Sequence, residues 1–295
     1  MSYKYEHSLK IAIILTFIFF IVEIIGGILS GSLSLLGDAA HMFRDIFALF
    51  VSLVAITISK KLPTKEKTFG YHRIEIFAAL INGILLLVIS FWIFYEAYQR
   101  IYNPVPIKSN VMFSVALIGL LVNLYVTFRL RGSSDLNIKS TFIHVLTDTF
   151  SSGAVIVASI IIYFTNFIII DPILGIVIGL FVLFSSYTII KDSIYILMEY
   201  VPKDINIDEL IKEMEKVEDV IEVHNVHIWT LCSNINILDA HIYTDLSDVC
   251  RVEEIKGILK KILLDNYNIK HATLEFEWEK CKIKEDTEHL IHYKS

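Results

Sequence analysis

Apolar residues run in long blocks over the first two thirds of the chain, and polar residues are confined to the breaks between them. A helix needs roughly 20 mainly apolar residues to cross a bilayer. Six blocks qualify: residues 9–29, 33–59, 74–98, 111–130, 141–164 and 173–195. Gly31-Ser32 is so short a break that the first two helices must form a tight hairpin. Residues 60–73 are basic and contain Pro63 and Gly70. Asn103-Pro104-Val105-Pro106 is a proline-broken turn, 131–139 is polar without a histidine run, and 166–172 lacks Lys and Arg. Lys4 and Lys10 precede the first block, but it is long enough to span and no small-x-small cleavage site follows it. It reads as a retained helix, not a signal peptide.

Beyond Pro202 the period shortens and mixes. Residues 208–217 have helical spacing, with Leu210, Ile211, Met214 and Val217 apolar. Residues 220–229 alternate, which places Val220, Glu222, His224, Val226 and Ile228 on one strand face. A second strand is expected over 235–243 and an amphipathic helix over 252–264. A third strand over 271–278 has Ala272, Leu274, Phe276 and Trp278 on one face. The order αββαβ predicts a small sheet with its helices on one side. The expected fold is a membrane all-α six-transmembrane-helix domain over residues 1–200, followed by an α+β cytoplasmic domain over 201–295. The second is an αββαβ module of the metallochaperone or ferredoxin-like kind.

Composition agrees with this division. Of 295 residues, 55% are hydrophobic and only 20% charged, a more apolar balance than a soluble domain carries. The net charge of −6 comes mainly from the tail, so nucleic acid is not an expected partner. Lys and Arg collect on one side of the six spans: Lys4, Lys10, Lys60, Lys61, Lys65, Lys67, Arg73, Arg129, Arg131, Lys139, Lys191 and Lys203. The other side has little beyond Arg100 and Lys108. The positive-inside bias then places both termini in the cytoplasm. Cys232, Cys250 and Cys281 all fall in the tail, form no CxxC and are odd in number, as expected of reduced thiols.

Candidate chemistry appears inside the spans, where ionisable residues are costly and mark paths or sites. His41 and Asp45 form His-x-x-x-Asp in the second span, and His144 and Asp148 repeat it in the fifth. The i, i+4 spacing puts imidazole and carboxylate on one helix face. Two such helices side by side offer two nitrogens and two oxygens, a tetrahedral set for zinc. Calcium or magnesium would call for more oxygens, and copper(I) for sulfur. A single copy is explained as well by an internal salt bridge; two copies in separate spans are hard to attribute to packing. Glu23 and Asp38 read equally as outer partners of the site, as a cation path or as a structural pair. Asn82 and Asn123 read as interhelical hydrogen bonds, and Arg44 as a side chain turned away to pair with a carboxylate.

In the tail, His224 and His227 lie in His-Asn-Val-His, His241 on the next strand, and His271, Glu275 and Glu277 on or beside the third. On a regular strand, i and i+3 face opposite ways, so His224 and His227 would not share a site. His224, His241 and Glu277 can converge across strands on a metal ion; solvated side chains at a sheet edge are the equal alternative. The three cysteines are further possible thiolate ligands. His289 and His292 lie in a polar end segment.

These motifs resemble those of the cation diffusion facilitator family, in its zinc-transporter branch. The resemblance is carried by the run from Ser32 to Asp45, by Phe69-Gly70-Tyr71-His72-Arg73-Ile74-Glu75 and by His144-Val145-Leu146-Thr147-Asp148. Asp171-Pro172, the run from Leu197 to Pro202, Val226-His227-Ile228-Trp229 and His271-Ala272-Thr273-Leu274-Glu275 extend it over nearly the whole chain. It implies proton-coupled export of divalent metal from the cytoplasm by alternating access, in a homodimer embedded in the lipid bilayer of the cell membrane. It also implies that His41, Asp45, His144 and Asp148 are the transport ligands. Histidine at position 41 resembles the zinc-preferring members. His224 and His241 fall where some members bind regulatory zinc, and Glu275 and Glu277 stand where several have histidine. Zn²⁺ is therefore expected as transported substrate and as a regulatory ligand. No enzyme is expected: four protein ligands close a metal site to catalysis, and no HExxH motif is present.

Overall fold

The computed structural model describes residues 3–59, 64–130, 136–232, 235–246 and 248–278. Within them, side chains are described except at 3–13, 45, 48–59, 126–130 and 136–147. The chain divides into two compact units.

The first unit comprises Met1–Thr57 and Ala78–Lys191. It is built from α1 (Tyr3–Ser30), α2 (Leu33–Ser59), α3 (Arg73–Tyr102), α4 (Ser109–Leu130), α5 (Leu136–Thr165) and α6 (Ile170–Leu197). These helices cover the six apolar blocks and overrun most of them by a few polar residues. Among the described residues, Arg73–Tyr102, Asp148–Thr165 and Ile170–Leu197 are long and apolar enough to cross a membrane. Apolar side chains are also turned outward, with Ile28, Phe91, Phe181 and Phe184 all exposed. That distribution suits lipid, against which burial inside the protein gains no hydrophobic free energy.

What holds the unit together is close approach and polar capping. α4 packs along both α1 and α5. Gly119 lies so near the ring of Phe19 that a Cβ there would collide with it. Between the helices, Leu35, Met112, Val115, Ala116, Val155, Ala158, Ile162 and Ile178 form one buried cluster. The α1–α2 hairpin turns on Gly31, whose φ of 72° is cheap only for glycine. The first turn of α2 is capped from another helix. Asp171, at the start of α6 and 0% exposed, accepts from the amides of Leu33 (2.7 Å) and Ser34 (3.1 Å) and from the hydroxyls of Ser32 and Ser34 (both 2.7 Å). A carboxylate at a helix N-terminus satisfies amides that have no partner within the helix and meets the positive end of its dipole. Arg100 of α3 donates to the Gly31 carbonyl and stands 4.0 Å from Asp171.

The second unit comprises Ile58–Phe77 and Asp192–Ser295. Its elements are α7 (Ile207–Met214), β1 (Glu222–Cys232), β2 (Ile235–Tyr243), α8 (Val249–Tyr267) and β3 (Ile269–Glu277). The sheet is mixed, in the order β1-β2-β3: β1 pairs antiparallel with β2, and β3 parallel with it. α7 is capped by Asn206 and α8 by Asp248, each side chain accepting from the amide two residues on. α8 ends on Asn268 in the left-handed region. Leu210, Met214, Ile255, Leu259 and Leu263 of the helices meet Val223, Ile228, Leu238, Ala240, Ile242 and Leu274 of the strands in one core.

The face assignment on β1 is corrected by the structure. Val223 and Ile228 both point into the core, which unbroken alternation forbids. One extra residue is accommodated between His224, opposite His241, and His227, opposite Asp239. Asn225 has φ of 50° within this bulge, a conformation Asn tolerates better than most residues. The bulge restores parity, so His224 and His227 both face away from the core. On β3, Ala272, Leu274 and Phe276 pack toward the core as the alternation implies. Trp278 is exposed, and its indole N–H donates to the Leu246 carbonyl.

Candidate metal centre

The repeated His-x-x-x-Asp lies on α2 and α5, and the structure brings one residue of each copy together. His41 Nδ1 is 3.7 Å from Asp148 Oδ1. Both line a cavity of ≈ 280 Å³ together with Asp38, Ser151, Phe150 and Phe181. The side chains of Asp45 and His144 lie outside the described residues; their backbones place them one helical turn from His41 and Asp148. An imidazole nitrogen and a carboxylate oxygen at this spacing can grip one divalent cation between two helices. Other polar groups of the unit also find places. Arg44 donates to Ser185 Oγ of α6. Asn82 is buried, and no donor reaches its Oδ1.

The second constellation lies on the sheet face opposite α7 and α8. His224 pairs directly with His241 across β1 and β2, and β3 adds Glu277. His241 Nδ1 is 2.7 Å from Glu277 Oε1, and His224 Nε2 is 3.2 Å from Glu277 Oε2. One ligand atom from each of the three lies within 4.8 Å of the others, a grouping the described residues show nowhere else. The fit to a metal ion has a specific sign. His224 Nδ1 is buried with no hydrogen-bond partner, and buried polar atoms seldom stay so. Glu275 is the outer of the two glutamates: it is 67% exposed and 3.7 Å from His241 Nε2.

Of the other candidates, His227 is exposed and shares Asn225 with His241. Its Nε2 lies 2.9 Å from Asn225 Oδ1, while Asn225 Nδ2 lies 3.3 Å from His241 Nε2. Asn225 is the residue that strand periodicity does not reveal; an Asn within the strand, between His224 and Val226, is the only local signal of a left-handed residue. His271 stands edge-on to Phe69. Cys232 is buried against His72, Sγ to Nδ1 3.5 Å. Burial, and then the charge of Glu75, push its thiol up to about 11, so it is a protonated packing group at neutral pH. Cys250 is exposed at the start of α8; Cys281, His289 and His292 lie outside the described residues.

An apolar helical unit that holds a half-buried imidazole–carboxylate pair, joined to an α+β unit with a second such cluster, suits a membrane carrier of metal cations. Known proteins agree. The family pattern described as the cation efflux transmembrane domain matches residues 9–198. The pattern described as the cation efflux protein cytoplasmic domain matches residues 202–279. The metal cation efflux system protein CzcD of Cupriavidus metallidurans is 39% identical over 288 residues, covering 97% of this chain and 90% of that protein. The cadmium, cobalt and zinc/H(+)-K(+) antiporter of Bacillus subtilis is 39% identical over 284 residues, covering 93% and 91%. The zinc transporter ZitB of Escherichia coli is 36% identical over 273 residues, covering 89% and 84%. The chain belongs to the cation efflux, or cation diffusion facilitator, family. It is an integral membrane transporter that moves divalent metal cations outward, with a transmembrane domain followed by a cytoplasmic one.

Proposed function

We propose that this chain exports zinc from the cytoplasm in exchange for protons, by alternating access, through a site made of His41, Asp45, His144 and Asp148. The observation that carries the reading is the 3.7 Å approach of His41 Nδ1 to Asp148 Oδ1, which joins the two helices bearing the repeated motif. Zinc is the cargo of this site. It takes neutral imidazole and carboxylate, so protons and metal compete for the same atoms. Histidine is the residue type whose proton exchange falls nearest physiological pH. Open to the cytoplasm, the four groups load zinc; open outward, they release it to incoming protons. Two nitrogens and two oxygens favour zinc over calcium and magnesium, and the names of the relatives, zinc among them, are consistent with that choice.

In this reading residues 1–200 are a six-span transport domain with both termini cytoplasmic. Residues 201–295 are an αββαβ module of the metallochaperone or ferredoxin-like kind that joins two copies into a homodimer and senses metal. His224, His241 and Glu277 hold regulatory zinc there, and the unpartnered His224 Nδ1 and the close grouping of the three side chains support the assignment. The test is zinc uptake into proteoliposomes under an imposed pH gradient. Wild type is expected to move zinc against protons. Asp45→Ala and Asp148→Ala are expected to insert and fold yet carry no zinc. Wild-type flux in either folded variant refutes the four-ligand site, and zinc flux indifferent to the pH gradient refutes proton exchange.

A further inference from the structure

Glu23, on α1, is 1% exposed, and no N–H or O–H donor reaches either of its carboxyl oxygens. Its carboxyl lies within hydrogen-bonding reach of that of Asp38 on α2, itself 7% exposed. The donor on the Asp38 side is Ser151 of α5, whose hydroxyl gives a 2.7 Å bond to Oδ1. Two buried carboxylates in contact repel strongly, and one hydroxyl does not cancel two charges. The contact becomes attractive when a single positive charge is shared between the two groups.

Among the described side chains, the surroundings do not supply that charge. Of the elements packed around Glu23, α2 presents Asp38 and then His41, which stands against Asp148. α5 presents Asp148 and Ser151. α4, packed along α1, has no Asp, Glu, Lys, Arg or His between Ser109 and Tyr125. A mobile cation can supply the charge, and the donors that would hold it are all oxygen: two carboxyls and a hydroxyl. Oxygen donors suit a proton or a hard metal ion and not a soft one.

We propose that Glu23 and Asp38 together form a binding site for one monovalent cation, a proton or an alkali-metal ion, and that this is a cation exchanged against the divalent metal. The inference rests on the antiport reading given above and adds to it a second station made of different atoms. Asp38 lines the same cavity as His41 and Asp148, so a divalent ion between those residues and a monovalent ion on the carboxyl pair repel each other across a short, poorly screened gap. Each ion lowers the affinity of the other, and the linkage is reciprocal. Metal arriving from the cytoplasm expels the monovalent ion, and a monovalent ion arriving from outside helps expel the metal.

The test uses the full chain in liposomes, with zinc flux measured under a pH gradient at equal potassium and under a potassium gradient at equal pH. Wild type is expected to respond to one of the two, which names the ion. Glu23→Gln keeps the size of the side chain and offers Asp38 an amide donor in place of the cation. It is expected to bind zinc in detergent by calorimetry and to lose the gradient response; Glu23→Asp, which keeps the carboxyl, is expected to recover part of it. Asp38→Asn carries the same expectation and serves if Glu23→Gln does not fold. A gradient response in Glu23→Gln equal to that of wild type overturns the proposal. So does a folded Glu23→Gln that cannot bind zinc, because Glu23 then belongs to the metal site. Indifference of wild type itself to both gradients is a different result: it removes the antiport reading on which this site depends.

Discussion

Glu277 is the hinge of the cytoplasmic cluster, and Glu277→Gln is the change that reads it most directly. One oxygen of this carboxylate is 2.7 Å from His241 Nδ1 and the other 3.2 Å from His224 Nε2. The amide keeps the shape and can still accept from His241, so the fold is expected to survive, but it is neutral and a poor metal ligand. Structural zinc sites with four ligands bind with about 10–16 kcal/mol at neutral pH, or roughly 2.5–4 kcal/mol per ligand. At about 1.4 kcal/mol per factor of ten, loss of Glu277 weakens zinc binding by roughly two to three orders of magnitude. Glu277 keeps 19% side-chain exposure, where water screens part of the charge, so the lower end of that range is expected. The assay is calorimetric titration of the full chain in detergent, in an Asp148→Asn background that silences the intramembrane site. Glu275→Gln is the internal control: its carboxylate is 3.7 Å from His241 Nε2 and 67% exposed, and its loss is expected to change the affinity by less than about threefold. Equal effects of the two substitutions, or a dissociation constant in Glu277→Gln within about threefold of its parent, would refute the assignment.

Three further outcomes are expected. His41→Asp replaces a borderline nitrogen with a harder oxygen and should relax selection between zinc and cadmium in competition flux; unchanged relative rates would remove position 41 as the selector. Asp171→Ala strands the amides of Leu33 and Ser34 at a cost of about 1–3 kcal/mol each, and the thermal midpoint in detergent should fall by about 5–10 °C; a midpoint within a degree of wild type would mean that the α2 cap is redundant. In a Cys281→Ser background, iodoacetamide at neutral pH should modify exposed Cys250 and spare Cys232 until the chain unfolds. The Cys232 thiol is raised from 9.0 to about 11 in the folded chain, so its contribution to stability is intact below pH 9 and is lost as the pH rises toward 11. Equal labelling of the two cysteines at neutral pH contradicts the burial.

Helix positions were legible because each apolar block is long and bounded by residues that break it, such as Gly31 and the Asn103–Pro106 turn. The order of elements in the tail was legible from its changing period. His41 and Asp148 were expected to meet because two copies of one motif in separate spans have little other use, and they stand 3.7 Å apart. What periodicity does not carry is contact between elements far apart in sequence. Nothing local marks Asp171 as the cap of a helix that begins 138 residues earlier, or Glu23 as the neighbour of Asp38. The parity of β1 was misread for a different reason. Alternation is counted from residue to residue, and one residue in the left-handed region displaces the count for everything beyond it. Glu275 and Glu277 share a face by alternation alone; the register sets Glu275 opposite His241, and only the side-chain geometry shows that Glu277 is the one that reaches both histidines.

The extra residue in β1 separates architecture from chemistry within a single strand. If Asn225 were deleted, Val223, Val226 and Ile228 would still alternate toward the core with His224 and His227 between them, so the hydrophobic pattern does not need it. What would vanish is the amide that spans His227 and His241 and holds both rings at fixed angles on the open face. A one-codon loss there is expected to leave the hydrophobic pattern of the strand in place and to free both rings on the open face, so the length of this strand, more than its composition, sets how those side chains stand.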